Sequence, residues 1–368
     1  MPPMWGKRAC NQRRGMGVIE LKRSQLERVA QHREKLRKEP HLRWLFFEIT
    51  NRCNLNCAHC GSSCTSKGES LTVIDVKTAL RPIPQDKPTI CLTGGEPMLH
   101  PQFFDIAECV QSMGFVWGMT TNATLIDDAS AERLKQAGMS TVSVSLDGME
   151  QTHDMLRRSQ GAWKSAIHGL RALQNAGFEP QVTTVLHQGN FDELDQLYEL
   201  LSSMGITSWR PINVEPIGRA CESSDILLKP EQFSLLLSYI RSKRFDPDCR
   251  MEVTFGCSHY LGVNNERMVR DHYFLCGAGI LTASVRSNGD ICACLDIENR
   301  PELVQGNIQT DDFMDVWLNR FLVFRRDRTG DCAQCIECPE RFVCGGDSTH
   351  TWDFKRNRPL LCYQDYGQ

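Results

Sequence analysis

From Trp44 onward the chain alternates between two hydrophobic periods, and that alternation most limits what it can fold into. Short apolar runs at 44–50, 89–93, 115–121, 141–146, 181–186 and 208–214 read as strands. Between them, 102–112, 127–137, 162–176 and 191–204 carry the amphipathic spacing of helices. Ala137-Gly138, Ala176-Gly177 and Met204-Gly205 suit helix C-caps that lead into the next strand. Strands alternating with helices pair in parallel through right-handed crossovers. Six such units are fewer than the eight of a closed barrel.

The loop after the first strand holds Cys53, Cys57 and Cys60, spaced C-x3-C-x2-C. Three thiolates on so short a loop can grip three corners of a cubane iron–sulfur cluster and leave the fourth iron open. An open iron can bind and reduce a small molecule, whereas a closed cluster mostly carries electrons. Zinc is the other reading of the loop, with Cys64 or His59 as fourth ligand. The spacing, with Phe47 upstream and His59 just before the last cysteine, resembles the radical S-adenosylmethionine (SAM) enzymes. The resemblance implies that the open iron chelates the amino and carboxylate groups of SAM. Reductive cleavage then yields a 5′-deoxyadenosyl radical. It also implies an α/β fold, a partial (β/α)6 TIM-like barrel with a lateral mouth for a large substrate.

Active sites in such sheets lie at the carboxyl ends of strands. The second strand ends in Thr93-Gly-Gly-Glu-Pro97, by itself a Gly-rich turn with an ordinary Glu. It also matches the family's Gly-Gly-Glu-Pro motif. The match implies that Gly94, Gly95 and Glu96 receive the methionyl amine of SAM. The resemblance further implies SAM contacts from Asn122, from Ser145 near the ribose, from Arg157 at the carboxylate and from Asn190 near the adenine. An Arg fork matches a carboxylate bidentately. Ser143 and Asp147 close the fourth strand beside Ser145; a strand-end Ser or Asn is also a common turn residue.

Eighteen cysteines are far above ordinary usage. A secreted disulfide scaffold would be smaller and would carry a signal. The charged N-terminus has no apolar h-region. No apolar run approaches the ~18 residues of a membrane span. The expected location is therefore cytoplasmic, and the cysteines read as metal ligands in a reducing setting. Cys10, Cys91, Cys109, Cys221 and Cys249 stand alone. A net charge of −3 argues against bulk nucleic-acid binding. The first 43 residues differ, with 12 Lys/Arg against 4 Glu. Residues 1–20 read as irregular, and Ser24-Gln-Leu-Glu27 as a capping box opening a helix to about Arg37. That helix would be a solvated basic face or a site for an acidic partner.

After about residue 250 cysteines crowd: Cys257, Cys276, Cys292, Cys294, Cys332, Cys335, Cys338, Cys344 and Cys362. Zinc ribbons are one reading of this region. The pattern also resembles the SPASM extension of radical SAM enzymes. Cys276, Gly289 and Cys294 fit its first half; Cys335, Cys338, Cys344 and Cys362 fit its second. The resemblance implies two auxiliary clusters, the second held by those last four cysteines. The first would hold Cys276 and Cys294, but the position expected to supply a crossing thiolate is Ser348. Cys257, Cys332, Asp347, Ser348 and His350 are candidate substitutes, and an open iron is the other reading. Pro216-Ile-Gly-Arg-Ala220 and Gly306-Asn-Ile308 look like connecting motifs of the group.

The expected organisation is a basic segment and helix over 1–43, the partial barrel over 44–225, a linking helix over 226–250 and the SPASM extension over 251–368. The expected function is abstraction of hydrogen from a residue of a ribosomally made peptide, which is then oxidised or cross-linked. The cofactor supplies the difficult chemistry. A reductant such as flavodoxin or ferredoxin would feed the cluster. Other readings are an anaerobic sulfatase maturase, a small-molecule or cofactor-biosynthesis enzyme, and a non-enzymatic iron–sulfur or zinc scaffold. The maturase reading is weakened because Leu295, not an Asp, follows Cys294, with Asp296 one further on. No residue stands out as a catalytic base.

Overall fold

The computed structural model describes residues 23–62, 64, 68–222, 224–256 and 259–366. The segment 1–20 and Cys257 lie outside them. Six strands form in chain order: β1 Trp44–Thr50, β2 Thr89–Gly94, β3 Trp117–Thr121, β4 Thr141–Ser145, β5 Gln181–Leu186 and β6 Ser208–Asn213. Each pairs in parallel with the next. The helices are α1 Arg23–Lys38, α2 Val73–Leu80, α3 Phe103–Ser112, α4 Asp128–Gln136, α5 Glu150–Arg157, α6 Ala162–Asn175 and α7 Leu194–Ser203. Gly138, Gly177 and Gly205 follow α4, α6 and α7 with positive φ, the left-handed turn that ends a helix.

Leu45, Phe47 and Ile49 of β1 are fully buried, and they share one core with Val76, Ile106, Leu134, Leu170 and Leu197 of the helices. The sequence pattern missed α2 and α5, each eight residues long. About two turns show too little periodicity to stand out. Local chemistry sets α2 instead: Asp75 N donates to the Thr72 hydroxyl at 3.2 Å, and Thr72 N donates to the Asp75 carboxylate at 2.7 Å. Within the described residues the helix α1 runs through Ser24, the expected cap.

The sheet continues past β6. A short β7 (Glu252–Val253) adds in parallel to β6. On the other edge β8 (Thr282–Val285) pairs in parallel with β1, and β9 (Asp290–Cys292) and β10 (Gly306–Asn307) follow antiparallel. The order is β10-β9-β8-β1-β2-β3-β4-β5-β6-β7, an open ten-stranded sheet. It crosses the boundary expected at 250/251 on both edges. Buried Glu48 of β1 fastens the added edge, accepting from the Ser287 hydroxyl at 2.7 Å. A helix α8 (Pro230–Phe245) lies between β6 and β7. Nor is α1 simply a solvated basic helix, because its Arg33 is buried against the C-terminal region. No described helix is long and apolar enough to cross a membrane.

Candidate active site

The cysteine loop leaves the carboxyl end of β1 and is fastened from three sides. Gly95 N donates to Thr50 O at 2.8 Å, and Glu96 N to Arg52 O at 2.9 Å. The approach is so close that a β-carbon on Gly95 would fall 2.6 Å from the carbonyl carbon of Arg52 and 2.9 Å from Cβ of Cys53. One on Gly94 would overlap the Thr50 carbonyl. Docking of the loop therefore demands glycine at both positions. From α5, Leu156 O accepts from Ala58 N at 2.9 Å. From the turn after β6, Arg219 N donates to Cys60 O at 3.0 Å and Arg219 Nε to Cys57 O at 2.7 Å. That arginine belongs to the Pro216–Ala220 motif, whose role is thus to clasp the loop.

So held, Cys53, Cys57 and Cys60 gather around Leu55 and Ala162. Cys64 hydrogen-bonds Cys60 and brings its pKa down to about 6. Among the described residues no three His, Cys, Asp or Glu side chains converge on a single ion. A cubane spreads its three thiolates over three irons and asks for wider spacing.

Glu96 is fully buried, and its carboxylate ties the β2 end to the β3 end. It accepts from the Thr121 hydroxyl at 2.7 Å, from Asn122 N at 2.8 Å and from Met98 N at 3.3 Å. Burial pushes its pKa up to about 7 against those hydrogen bonds. Asn122 reaches back to the cysteine loop, Nδ2 donating to Asn54 Oδ1 at 3.0 Å. Ser145 is half-buried at the end of β4.

Arg157 is engaged differently from a fork waiting for the SAM carboxylate. It pairs with fully buried Asp147, and its Nη1 lies 3.6 Å from Cys57 Sγ. Burial would lower the Arg157 pKa, but Asp147 and Cys57 together raise it. Burial likewise opposes ionisation of Asp147, but Arg157, His59, His153 and the Val185 N–H together outweigh it and bring that carboxyl down to about 2. Asn190 is committed too. Its Nδ2 donates to Asp147 O at 3.0 Å and Val185 O at 2.9 Å, and its Oδ1 accepts from His187 N at 2.8 Å. Both amide protons hold the β4 and β5 ends together, so none is left for an adenine. Among the described residues, three buried nitrogens around Asp147 have no hydrogen-bond partner: Arg157 Nε, His59 Nδ1 and His187 Nε2. Orphaned polar atoms of this kind ask for a ligand. Three thiols beside unpartnered polar nitrogens fit a thiolate-held cluster with a polar molecule next to it.

The C-terminal cysteines separate into two places. Cys335, Cys338, Cys344 and Cys362 line one pocket. Asp347 lines the same pocket, its carboxylate accepting from Tyr260 N at 2.8 Å. Cys332 hydrogen-bonds Cys335. The structure thus places Asp347 and Cys332 with the second set of thiols, not with Cys276 and Cys294. The reason is the left-handed backbone at Asp347, φ 60°, which follows two glycines also at positive φ and turns the side chain toward Tyr260.

Cys276 instead meets Thr349, whose N donates to its Sγ at 3.3 Å. Cys294 Sγ lies 3.7 Å from Asp296 Oδ2. A β-carbon on Gly61, next to Cys60, would stand 3.7 Å from Asp296 Oδ1. One exposed carboxylate therefore separates the first cysteine loop from Cys294. His350, which interacts with both Asp296 and Cys276, is bonded to Glu215 at 2.8 Å. Glu215 directly precedes the turn that clasps Cys57 and Cys60. Burial opposes its charge, yet His350 and His259 hold its pKa below the usual carboxylate range. Sequence reasoning missed Glu215, whose signal was its place beside the Pro216–Ala220 motif. It also undervalued Asp296.

An open parallel β/α sheet with a thiol triad at the end of its first strand, continued by a thiol-rich extension, defines a partial-barrel enzyme built around clusters. Residues 47–201 match the Radical SAM superfamily, and residues 276–339 match the SPASM iron–sulfur cluster-binding domain. The chain is a radical SAM enzyme with a SPASM domain. Its cofactors are SAM, a radical SAM 4Fe-4S cluster and SPASM auxiliary clusters.

It is 28% identical to an AdoMet-dependent heme synthase of Methanosarcina barkeri, over 88% of this chain and 97% of that one. It is 27% identical to the mycofactocin maturase MftC of Mycolicibacterium smegmatis, over 82% and 76%. Its fold is similar to that of Streptococcus suis SuiB bound to S-adenosylmethionine. The TM-score is 0.68 at 18% identity, covering 88% of this chain and 77% of SuiB.

Proposed function

We propose that this enzyme oxidises a porphyrin at an unactivated carbon, in the manner of a heme synthase. The observation that carries an oxidation is the adjacency of two thiol fields. Asp296 reaches both the Gly61 position and Cys294, and the Glu215–His350 pair ties the loop's clasp to the segment beside Cys276. Hydrogen-atom removal leaves a carbon radical whose electron must go to an acceptor, and a cluster held by Cys276 and Cys294, when bound, would supply one beside the first loop. The porphyrin is supported by likeness along nearly the whole length of the Methanosarcina heme synthase.

In this reading Cys53, Cys57 and Cys60 hold the radical cluster. Cys335, Cys338, Cys344 and Cys362 hold one auxiliary cluster, and Cys276 and Cys294 hold another with non-cysteine ligands beside them. When bound, the radical cluster and SAM supply hydrogen-atom abstraction. The chain's own residues do the rest. Gly94, Gly95 and Arg219 fix the loop, Glu96 and Asn122 brace the neighbouring strand ends, and the Arg157–Asp147 pair keeps a neutralised wall beside Cys57.

Peptide modification is the second reading, favoured by likeness to the mycofactocin maturase over 82% of the chain. Anaerobic turnover with SAM, reductant and either an iron porphyrin carrying carboxylate side chains or the precursor peptide of a neighbouring gene separates the two. A mass change in the porphyrin, in step with 5′-deoxyadenosine, is the expected result. Turnover of peptide with an inert porphyrin would replace the first reading by the second.

A further inference from the structure

The basic N-terminal helix α1 sends one arginine into the cysteine-rich region. Arg33 is only 4% exposed. Its Nη2 donates to Phe274 O at 2.6 Å, two residues before Cys276, and its Nη1 donates to Cys344 O. One turn on, Arg37 Nη2 donates to Gly345 O at 3.1 Å. A second buried arginine, Arg328, covers the next stretch. It donates to Gly346 O at 2.9 Å, to Asp347 O at 2.7 Å and to the Thr349 hydroxyl at 2.8 Å. That hydroxyl lies 3.2 Å from Cys276 Sγ. Every carbonyl from Cys344 to Asp347 is thus held by a guanidinium, and both arginines reach toward Cys276.

The glycines after Cys344 make room for this. A β-carbon on Gly345 would fall 2.9 Å from Cδ and Cζ of Arg33, and one on Gly346 would fall 3.0 Å from Nε of Arg328. Each guanidinium bonds to carbonyls or a hydroxyl rather than to a carboxylate. A buried cation is costly unless anionic groups lie close by. The groups that attract them most are Cys344, then Tyr260 and Cys276, for Arg33, and Cys276, then Asp347 and Cys344, for Arg328.

We infer that Arg33 and Arg328 form a cationic bridge that positions the Cys276 and Cys344 segments and supplies counter-charge to the auxiliary clusters those cysteines hold. They are positioning residues, and α1 is a working part of the auxiliary region. The inference rests on the reading of these thiols as cluster ligands. Cluster potentials respond to nearby charge and to hydrogen bonds around the ligands. A cation beside a cluster favours the reduced form, so its loss lowers the potential.

The test uses anaerobically reconstituted holoenzyme of the full chain, comparing wild type with Arg33→Gln, Arg33→Lys and Arg328→Gln. Iron content, release of iron to a chelator and redox titration followed by electron paramagnetic resonance are read for each. The Gln variants are expected to shift the auxiliary potential downward and to release auxiliary iron sooner. Arg33→Lys, which keeps the charge, should restore the potential. The signal of the radical cluster with SAM should not move. Wild-type potential and iron release in both Gln variants would overturn the inference. So would equal damage at the radical cluster, which would mean general unfolding. A wild-type enzyme holding no auxiliary iron would remove instead the ligand reading beneath it.

Discussion

Replacing Gly95 with Ala inserts one methyl group between β2 and the cysteine loop. The new β-carbon would stand 2.6 Å from the carbonyl carbon of Arg52 and 2.9 Å from Cβ of Cys53. Carbon atoms settle at about 3.5–4.0 Å, so the loop must open by roughly 1 Å. The neighbours are backbone and the first atom of a side chain, neither of which can swing aside. Two hydrogen bonds cross this seam, Gly95 N to Thr50 O and Glu96 N to Arg52 O. Each is worth about 0.5–1.5 kcal/mol net, and overpacking costs about 1–3 kcal/mol more. A local loss of several kcal/mol is large beside the ~5–15 kcal/mol that separates folded from unfolded chains. Misplacement of a reacting centre by ~1 Å can cost on the order of 10²-fold in rate. Gly95→Ala is therefore expected to cut 5′-deoxyadenosine formation about 10²-fold, while iron in the C-terminal region stays in place. The assay is single-turnover SAM cleavage under reductant, with iron counted on the same sample. Wild-type cleavage by a folded Gly95→Ala enzyme would refute the claim that close docking sets the geometry of the loop.

Arg157→Met leaves Asp147 charged and buried, and should lower unfolding stability by about 3–5 kcal/mol. Adding Asp147→Leu should recover part of that stability without restoring SAM cleavage; unaltered thermal stability of the single variant would contradict the pairing. His153 accepts a hydrogen bond from Asp147 N at 3.0 Å, and burial lowers its pKa to about 4 from an ordinary 6.5. The unfolded chain then takes up a proton below about pH 6.5 that the folded chain refuses until about pH 4, so stability falls with pH across that window and is unaffected by this group above it. His153→Gln should make the acid limb of a stability-against-pH curve shallower by about 3 kcal/mol, and an identical limb would count against the assignment. Substituting Ala for all of Cys53, Cys57 and Cys60 should abolish SAM cleavage while C-terminal iron remains, and undiminished cleavage would move the radical site elsewhere.

Much of the barrel was legible in the residues themselves. Strand runs and Gly-ended helices are local, and the residues that encode β1 or β5 lie side by side in the chain. Thiol spacing in the first loop is equally local, since a short loop brings its own ligands together. The eight-residue α2 and α5 escaped because so few residues cannot show a period. Membership of the two C-terminal thiol sets was harder. Spacing suggested Cys332 and Asp347 as spare ligands for the first set, whereas the turn through Gly345, Gly346 and Asp347 carries Asp347 into the second pocket and Cys332 lies against Cys335. The sheet crosses the expected domain boundary because β8 pairs with β1, a match between strands more than 230 residues apart, and no window of sequence displays it.

By itself the sequence determined the β/α repeat, the thiol triad at its first strand end and the presence of a second cysteine field, because each depends on residues close along the chain. Only the tertiary structure decided what glycine is for at Gly94 and Gly95, that Arg157 is spent on Asp147, and that a basic helix at the start of the chain belongs to the cysteines near its end. Arg33 and Cys344 are 311 residues apart. A contact that long leaves no local pattern, since what places it is the packing of α1 beside the Cys344 loop, and packing exists only once the chain has folded.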